Sequence, residues 1–248
     1  MKRSIFKFKE FQVDQTQCNM KINTDSVLMG ALSCNSQLKN FSQLSMLDIG
    51  TGSGVIALML AQRFPDANIT AMEIDEMAIS LARQNFDNSP FSTRLELYPN
   101  SFQNYSNQSS TLFDYIVSNP PYFLNSLPNP DQRKKDSRHT NPGFFLELLS
   151  FTDKHLKENG VLQLIVPIEI IHLYEKSEYF IQHFRFIDIK RFYSFQSDAV
   201  PFRYLLSVSR IHEHPDIIPS TEPFILYESI GVHSKQYNEA LKPFLLKL

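Results

Sequence analysis

Cysteine is scarce in this chain: only Cys18 and Cys34 occur among 248 residues. Two thiols cannot build a four-ligand zinc cluster, and no histidine or cysteine spacing supplies the missing donors, so no metal is expected. The scarcity also fits a reducing compartment, where both would be free thiols. Long apolar runs are lacking, and none approaches the roughly 20 residues that span a bilayer. The start, Met1-Lys2-Arg3-Ser4-Ile5-Phe6-Lys7, is basic but runs into charged residues rather than an apolar core, which argues against a secretory leader. A cytoplasmic protein without a membrane partner is expected. Strong charge of one sign is absent too. A formal net charge of -2 and a pI near 6.4 exclude a globally basic nucleic-acid binder, so any polyanion site must be a local patch. Internal repeats are lacking, and no obligate protein partner is indicated.

What is present is enough chain for one substantial α/β core and too little for two large domains. We expect a single domain over 1–248, with 1–35 as an N-terminal lid or edge extension. From about Thr24 onward helical and strand patterns alternate, the order of a parallel sheet with helices on both faces. Within the extension, Phe6 to Val13 alternates aromatic and charged residues like an edge strand, and Met20 to Ala31 leads into a helix capped by Thr24 or Asp25. Glu76 to Asn85 reads as a helix with Met77, Ile79, Leu81 and Ala82 inward. Gln103 to Thr111 reads as a solvated loop. Gly143 to Lys157 is a further helix, ended by Asn159-Gly160 before a buried strand from Val161. Phe184 to Phe195 and Tyr204 to Ile211 read as paired strands, and Phe224 to Ile230 adds an eighth.

Chemistry concentrates in Asn119-Pro120-Pro121-Tyr122-Phe123, directly after the apolar run Phe113 to Val117. An amino group conjugated to a ring or carbonyl is a poor nucleophile, because its lone pair is delocalised. A site must therefore steer that lone pair. The Asn119 side-chain oxygen and the Pro120 carbonyl can each accept one N–H, forcing the nitrogen towards tetrahedral geometry. Pro121 fixes its own φ and restricts Pro120, and Tyr122 can stack on the flat target. The pattern points to group transfer onto an exocyclic or amide nitrogen.

A second motif precedes it. Met46-Leu47-Asp48-Ile49 reads as a buried strand, followed by Gly50-Thr51-Gly52-Ser53-Gly54 and then an apolar helix from Val55. Strand, glycine turn and helix form a nucleotide-cradling unit, since glycine lets backbone approach a ligand closely. The G-x-G-x-G spacing differs from the G-x-G-x-x-G of dinucleotide sites. A carboxylate at Asp48 suits an ammonium better than phosphate oxygens. The next strand, Asn68 to Met72, ends in Glu73, roughly 20 residues past the glycines, where an acid can accept both hydroxyls of a ribose.

In this order the three elements resemble the class I S-adenosylmethionine-dependent methyltransferases that act on amino groups. The resemblance implies a Rossmann-like α/β fold, a seven-stranded, mostly parallel sheet with one antiparallel strand and helices on both faces. It implies S-adenosyl-L-methionine as donor, held by Asp48, Gly50, Thr51, Gly52, Gly54, Glu73, Ile74, Ser101, Phe102 and Asn119. Catalysis falls to Asn119, Pro120, Pro121 and Tyr122. After Leu95 to Tyr98, where that family offers an acid to the donor adenine, this chain has Asn100, Ser101 and Phe102.

Beyond the tetrapeptide, Asn125 to Asn141 contains Arg133, Lys134, Lys135, Arg138 and His139, and long loops in compact domains are usually functional. Cations beside stacking aromatics suit a splayed nucleotide, with phosphates on Arg and Lys and the base on Tyr122. Lys21, Phe123, Arg133, Lys134, Lys135, Arg138 and His139 are the candidate RNA contacts. The Phe-rich start, the segment Met-Lys-Ile-Asn-Thr-Asp-Ser-Val-Leu-Met-Gly from Met20, Leu-Asp-Ile-Gly-Thr-Gly-Ser-Gly and Asn-Pro-Pro-Tyr-Phe are together similar to the bacterial valine-tRNA adenine-N6-methyltransferase family. That resemblance spans essentially the whole chain and implies a tRNA substrate methylated at the adenosine immediately 3′ of the anticodon. Two alternatives stand beside it: a glutamine-amide methyltransferase acting on release factors, which would need a helical domain ahead of the glycine turn, and a non-catalytic RNA-binding relic of the fold.

Overall fold

The computed structural model describes residues 4–16, 21–33, 43–120 and 142–246. Cys18, Cys34, Pro121, Tyr122, Phe123, Arg133, Lys134, Lys135, Arg138 and His139 lie outside the described residues. Nine strands form one sheet: β3 (Ser45–Ile49), β4 (Asn68–Met72), β5 (Leu95–Tyr98), β6 (Phe113–Ser118), β7 (Leu156–Val166), β8 (Phe184–Phe195), β9 (Arg203–Arg210), β10 (Pro223–Ser229) and β11 (Val232–His233). Their order is β11-β10-β8-β9-β7-β6-β3-β4-β5. Strand β9 runs antiparallel to both β7 and β8, whereas β10 is parallel to β8 and only the two-residue β11 reverses again. The expected seven-stranded core is therefore present, extended by β10 and β11.

The strands read as they do because most are buried on both faces. Every residue of β6, Phe-Asp-Tyr-Ile-Val-Ser, is buried, as befits a central parallel strand covered by helices. Successive residues feed opposite layers. Met46, Tyr115 and Val117 join one apolar cluster with helix α2 (Val55–Arg63), and Leu47, Ile49 and Ile116 join the other with α5 (Pro142–His155) and α6 (Ile168–Glu175). The buried carboxylate of Asp114 is paired: it accepts from Ser45 N at 2.8 Å and Lys157 Nζ at 2.8 Å, binding β6 to the start of β3 and to β7. Arg94 holds the C-terminal end of α2, donating to the carbonyls of Ala61, Phe64 and Ala67 at 2.8, 3.1 and 2.8 Å.

Register sets the site. In the parallel ladders Ile49 lies opposite Met72 on β4 and Ser118 on β6. The chain segments leaving β3, β4 and β6, which carry Gly50, Glu73 and Asn119, thus emerge at one level of one sheet edge.

Several local expectations are corrected. Phe6 to Val13 is not an edge strand; it folds back as a hairpin, β1 (Ile5–Lys7) with β2 (Gln12–Asp14), in a separate two-stranded sheet. The Phe8 and Phe11 rings stack at 4.4 Å across its turn, which buries both aromatics that a flat strand would leave half-exposed. Helix α1 (Thr24–Leu32) is capped by Asn23 rather than Thr24 or Asp25, since Asn23 precedes the first helical residue and its side chain accepts from Ser26 N. The polar run from Gln103 forms helix α4 (Phe102–Gln108), because Ser101 caps it and Phe102 anchors it in the core. Asn159-Gly160 does not end a helix: α5 stops at His155, and the pair sits inside β7 where the ladder to β6 jumps from Phe113–Leu156 to Tyr115–Val161. Met77 on α3 (Glu76–Asp87) is 46% exposed, not inward, because the buried stripe of that helix is Leu81, Ala82, Asn85 and Phe86.

Candidate active site

Asp48, one residue before the end of β3, has its side chain fully buried. Its Oδ2 accepts from Thr51 Oγ1 at 2.6 Å and from Ala57 N at 3.2 Å, while Oδ1 has no partner among the described residues. Burial pushes the carboxyl up to about 7; the Thr51 and Ala57 bonds pull it partly back, and the charge of Glu73 adds to the rise. An orphaned, buried acceptor of this kind is costly unless a cation arrives.

The turn beyond it is built for a ligand on one side and for packing on the other. Gly50 and Gly52 have φ of +75° and +57°, and a Cβ on either would meet nothing within 4 Å. Gly54, at φ +85°, instead abuts α3, where a Cβ would stand 2.5 Å from Phe86 Cε1. The turn is held to β4 by Gly50 N and Thr51 N, which donate to Met72 O at 2.9 and 3.0 Å.

Glu73 closes the cradle. Its Oε2 accepts from Gly52 N at 2.8 Å, and Oε1 accepts from Ile74 N at 2.8 Å and Asp75 N at 3.0 Å. Three of the roughly four acceptor sites of the carboxylate are thereby used, and Oε2 retains one for a hydroxyl donor. Ile74 beside it is 71% exposed, an apolar side chain free to cover a flat ring. Ser101 and Phe102 are otherwise engaged: Ser101 Oγ accepts from Asn104 N at 3.2 Å as the α4 cap, and the Phe102 ring packs edge-on to Phe144 and Phe151. Asn100 Oδ1 likewise accepts from Ser101 N and Asn104 Nδ2, at 2.8 and 2.6 Å.

Asn119 lines one cleft with Gly50, Thr51, Gly52 and the α1 residue Ser26. Lys21, expected as an RNA contact, lines the same cleft together with Ile22 and Asn23. Asn119 Nδ2 donates to Ser26 Oγ at 3.0 Å. Pro120 is buried at the end of the described segment. Glycine turn, strand-end acid and Asn119 are thus brought together as expected, and the segment 21–26 forms a further wall.

Two neighbours of the candidate site have no motif to mark them in the sequence. Asn85 Nδ2 donates to Ser53 O at 2.8 Å and Asp14 O at 3.0 Å, and its Oδ1 accepts from Asp14 N at 2.9 Å, so one buried amide ties the glycine turn to the N-terminal hairpin. A polar residue on the buried stripe of α3 was the available signal. Ser26 carried no such signal, because a serine in a first helical turn is ordinary.

The carboxylates of Asp48 and Glu73 disfavour phosphates at the turn and suit an amino-acid-bearing nucleoside: an acceptor for an ammonium, open glycines for close approach, a carboxylate for a ribose. Among the described residues no group of His, Cys, Asp and Glu could hold a metal ion, and no helix is long and apolar enough to cross a membrane.

Comparison with known proteins gives the same picture. The profile of the "Methyltransferase small domain" family matches residues 26–183. A Pedobacter heparinus protein named tRNA1(Val) (adenine(37)-N6)-methyltransferase is 37% identical, covering 98% of this chain and 99% of its own length. One of the same name from Porphyromonas gingivalis is 35% identical over 98% and 96%. Among solved structures, a predicted O-methyltransferase of Agrobacterium tumefaciens superposes with a TM-score of 0.64 at 17% identity, covering 88% of this chain and 96% of its own.

Proposed function

Because the chain belongs to the methyltransferase small-domain family, and within it to the tRNA1(Val) (adenine(37)-N6)-methyltransferases, we propose that it methylates N6 of the adenosine next to the anticodon in a valine tRNA. S-adenosyl-L-methionine supplies an electrophilic methyl group on a sulfonium. The observation that carries the reading is the shared cleft of Asn119 and the glycine turn, which supports a planar-nitrogen clamp beside a nucleoside cradle.

In this reading Asp48 Oδ1 receives the donor's ammonium, Glu73 Oε2 a ribose hydroxyl and Ile74 a face of its adenine. Gly50 and Gly52 leave room for the chain between them. Asn119 Oδ1 and the Pro120 carbonyl accept the two N6 hydrogens of the flipped adenine, turning its lone pair towards the donor methyl. Tyr122, in the segment beyond, offers the base a stacking face. A strong general base is unnecessary: the proton leaves after the nitrogen has become cationic. The tRNA partner and a cytoplasmic location follow from the same reading.

Tritiated donor incubated with total tRNA, with release factor, or with neither tests it. Label should enter tRNA alone and map to the adenosine 3′ of the valine anticodon. Label in release factor would transfer the clamp to a glutamine amide, and label in neither would favour a binding relic.

A further inference from the structure

Asn119 can serve as an acceptor only if its amide is turned the right way, with oxygen rather than nitrogen towards the target amine. Left alone, the two ends of a carboxamide are nearly the same size and shape, so sterics do not choose between them. Hydrogen bonding does.

The choice is traceable to a backbone N–H, a group that cannot reverse its polarity. Ser26 N, in the first turn of α1, donates to Asn23 Oδ1 at 2.9 Å. This fixes the Asn23 side chain with its oxygen facing Ser26. The Ser26 hydroxyl donates its single proton to the same Oδ1 at 3.0 Å, leaving its lone pairs for another partner. That partner is Asn119 Nδ2, at 3.0 Å. One N–H of the amide nitrogen is thereby engaged on the α1 side, and Oδ1 is left on the other edge of the amide.

Helix α1 is placed firmly enough to carry this relay. Asp25 pairs with Arg203 on β9 at 3.0 Å, tying the first turn to the central sheet. Gly30 lets the same helix approach α2 closely: a Cβ there would stand 2.7 Å from Met59 Sδ. Ser26 therefore reaches Asn119 from an element fixed independently of the segment after Pro120.

We propose that Ser26, backed by Asn23, is a positioning residue for Asn119 and sets the acceptor polarity of the amino-group clamp. The inference rests on the clamp reading of Asn119 given above. It assigns Ser26 no contact with the methylated base.

The test measures kcat, KM for tRNA, and the affinities for tRNA and for S-adenosylhomocysteine in Ser26→Ala, Ser26→Thr, Asn23→Asp and Asn119→Ala. Ser26→Ala should lower kcat by about 10- to 100-fold, the scale for a misplaced catalytic group, with both affinities within about three-fold and an unchanged melting temperature. Ser26→Thr retains the hydroxyl and should recover kcat to within about three-fold, and Asn23→Asp, which keeps both acceptor roles, should stay near wild type. In single turnover, Ser26→Ala added to Asn119→Ala should cost nothing further, because one residue acts through the other. A wild-type kcat in Ser26→Ala beside an inactive Asn119→Ala would overturn the relay and spare the clamp. An active Asn119→Ala would overturn the clamp itself. A loss in Ser26→Ala confined to donor affinity would make Ser26 a wall of the donor cleft and also overturn the proposal.

Discussion

Asp48 is held in the free protein at a cost that the donor would relieve. Its folded pKa, near 7, lies above the ordinary 3.8, so the folded state binds a proton that the unfolded chain has already lost. The stability linked to that proton is complete below about pH 3.8 and disappears as pH rises through 7. At pH 8 the folded protein carries a buried charge with one bare oxygen. Asp48→Asn should therefore melt above wild type at pH 8, with the gap shrinking towards pH 5; an equal gap at both would deny the buried charge. Donor affinity should move the opposite way. In wild type, binding of S-adenosylhomocysteine, whose ammonium Oδ1 is proposed to receive, should strengthen as pH rises to about 7 and then level off, at no more than about one log unit per pH unit. The asparagine variant should bind weakly and without this dependence, which calorimetry across the pH series would read. Glu73 differs, because its carboxylate holds Gly52, Ile74 and Asp75 N–H groups besides its proposed role at the donor. Glu73→Ala should cost about 1.5–3 kcal/mol of donor affinity and also lower the melting temperature, while unchanged calorimetric binding would remove Glu73 from the site.

At the scale of elements, the three glycines of one turn should fail in different ways. Gly54→Ala meets both a left-handed φ and the Phe86 ring at 2.5 Å. It should lose more than the roughly 1–2 kcal/mol of the backbone strain alone, seen as a large fall in urea midpoint. Gly52→Ala meets only the strain, since its Cβ points into open space; its folding loss should stay near that strain while donor binding collapses. Equal losses of stability in the two would contradict the division of the turn into a packing side and a ligand side. The turn was legible beforehand because glycine spacing, an apolar strand and an apolar helix all mark the same unit. So were β8 and β9, whose residue types alternate along the strand even though β9 is buried on both faces. The N-terminal hairpin was not: Phe6 to Val13 satisfies a strand's alternation equally well flat or folded back, and only the Phe8–Phe11 stack and the bridge from Phe8 to Leu245 decide. The helix at Phe102 was hidden by its polar composition, which reads as loop until Ser101 is recognised as a cap. At the site, Asp48, Glu73 and Asn119 announce themselves as strand-end polar residues, whereas Ser26 and Asn85 act through partners distant in the chain, which no local pattern encodes.

At the scale of the whole molecule, recognition of a polyanion must overcome a formal net charge of -2. The cations must therefore be gathered where the RNA lies. Strands β6 and β7 are parallel, so α5 between them runs back across the sheet from the edge that carries the site. The sequence between Ser118, where β6 ends, and Pro142, where α5 begins, thus starts and finishes on that side of the sheet. It contains Arg133, Lys134, Lys135 and Arg138, and we expect these four to supply the local phosphate-binding patch. Neutralising all four to glutamine or serine should weaken tRNA binding at low salt. It should also flatten the dependence of log K on log salt, by up to about 0.7 for each single-strand phosphate that the variant no longer neutralises. Donor affinity should be untouched, because the cradle of Asp48, Gly52 and Glu73 draws on none of them. Filter binding over a salt series measures both quantities. A slope identical to wild type would place the RNA surface elsewhere, and the alternative is then the N-terminal cations Lys2, Arg3, Lys7, Lys9 and Lys21. Of these, Lys21 already lines the cleft, so the same series on Lys21→Gln would show whether the entrance to the donor site and the path of the tRNA share a wall.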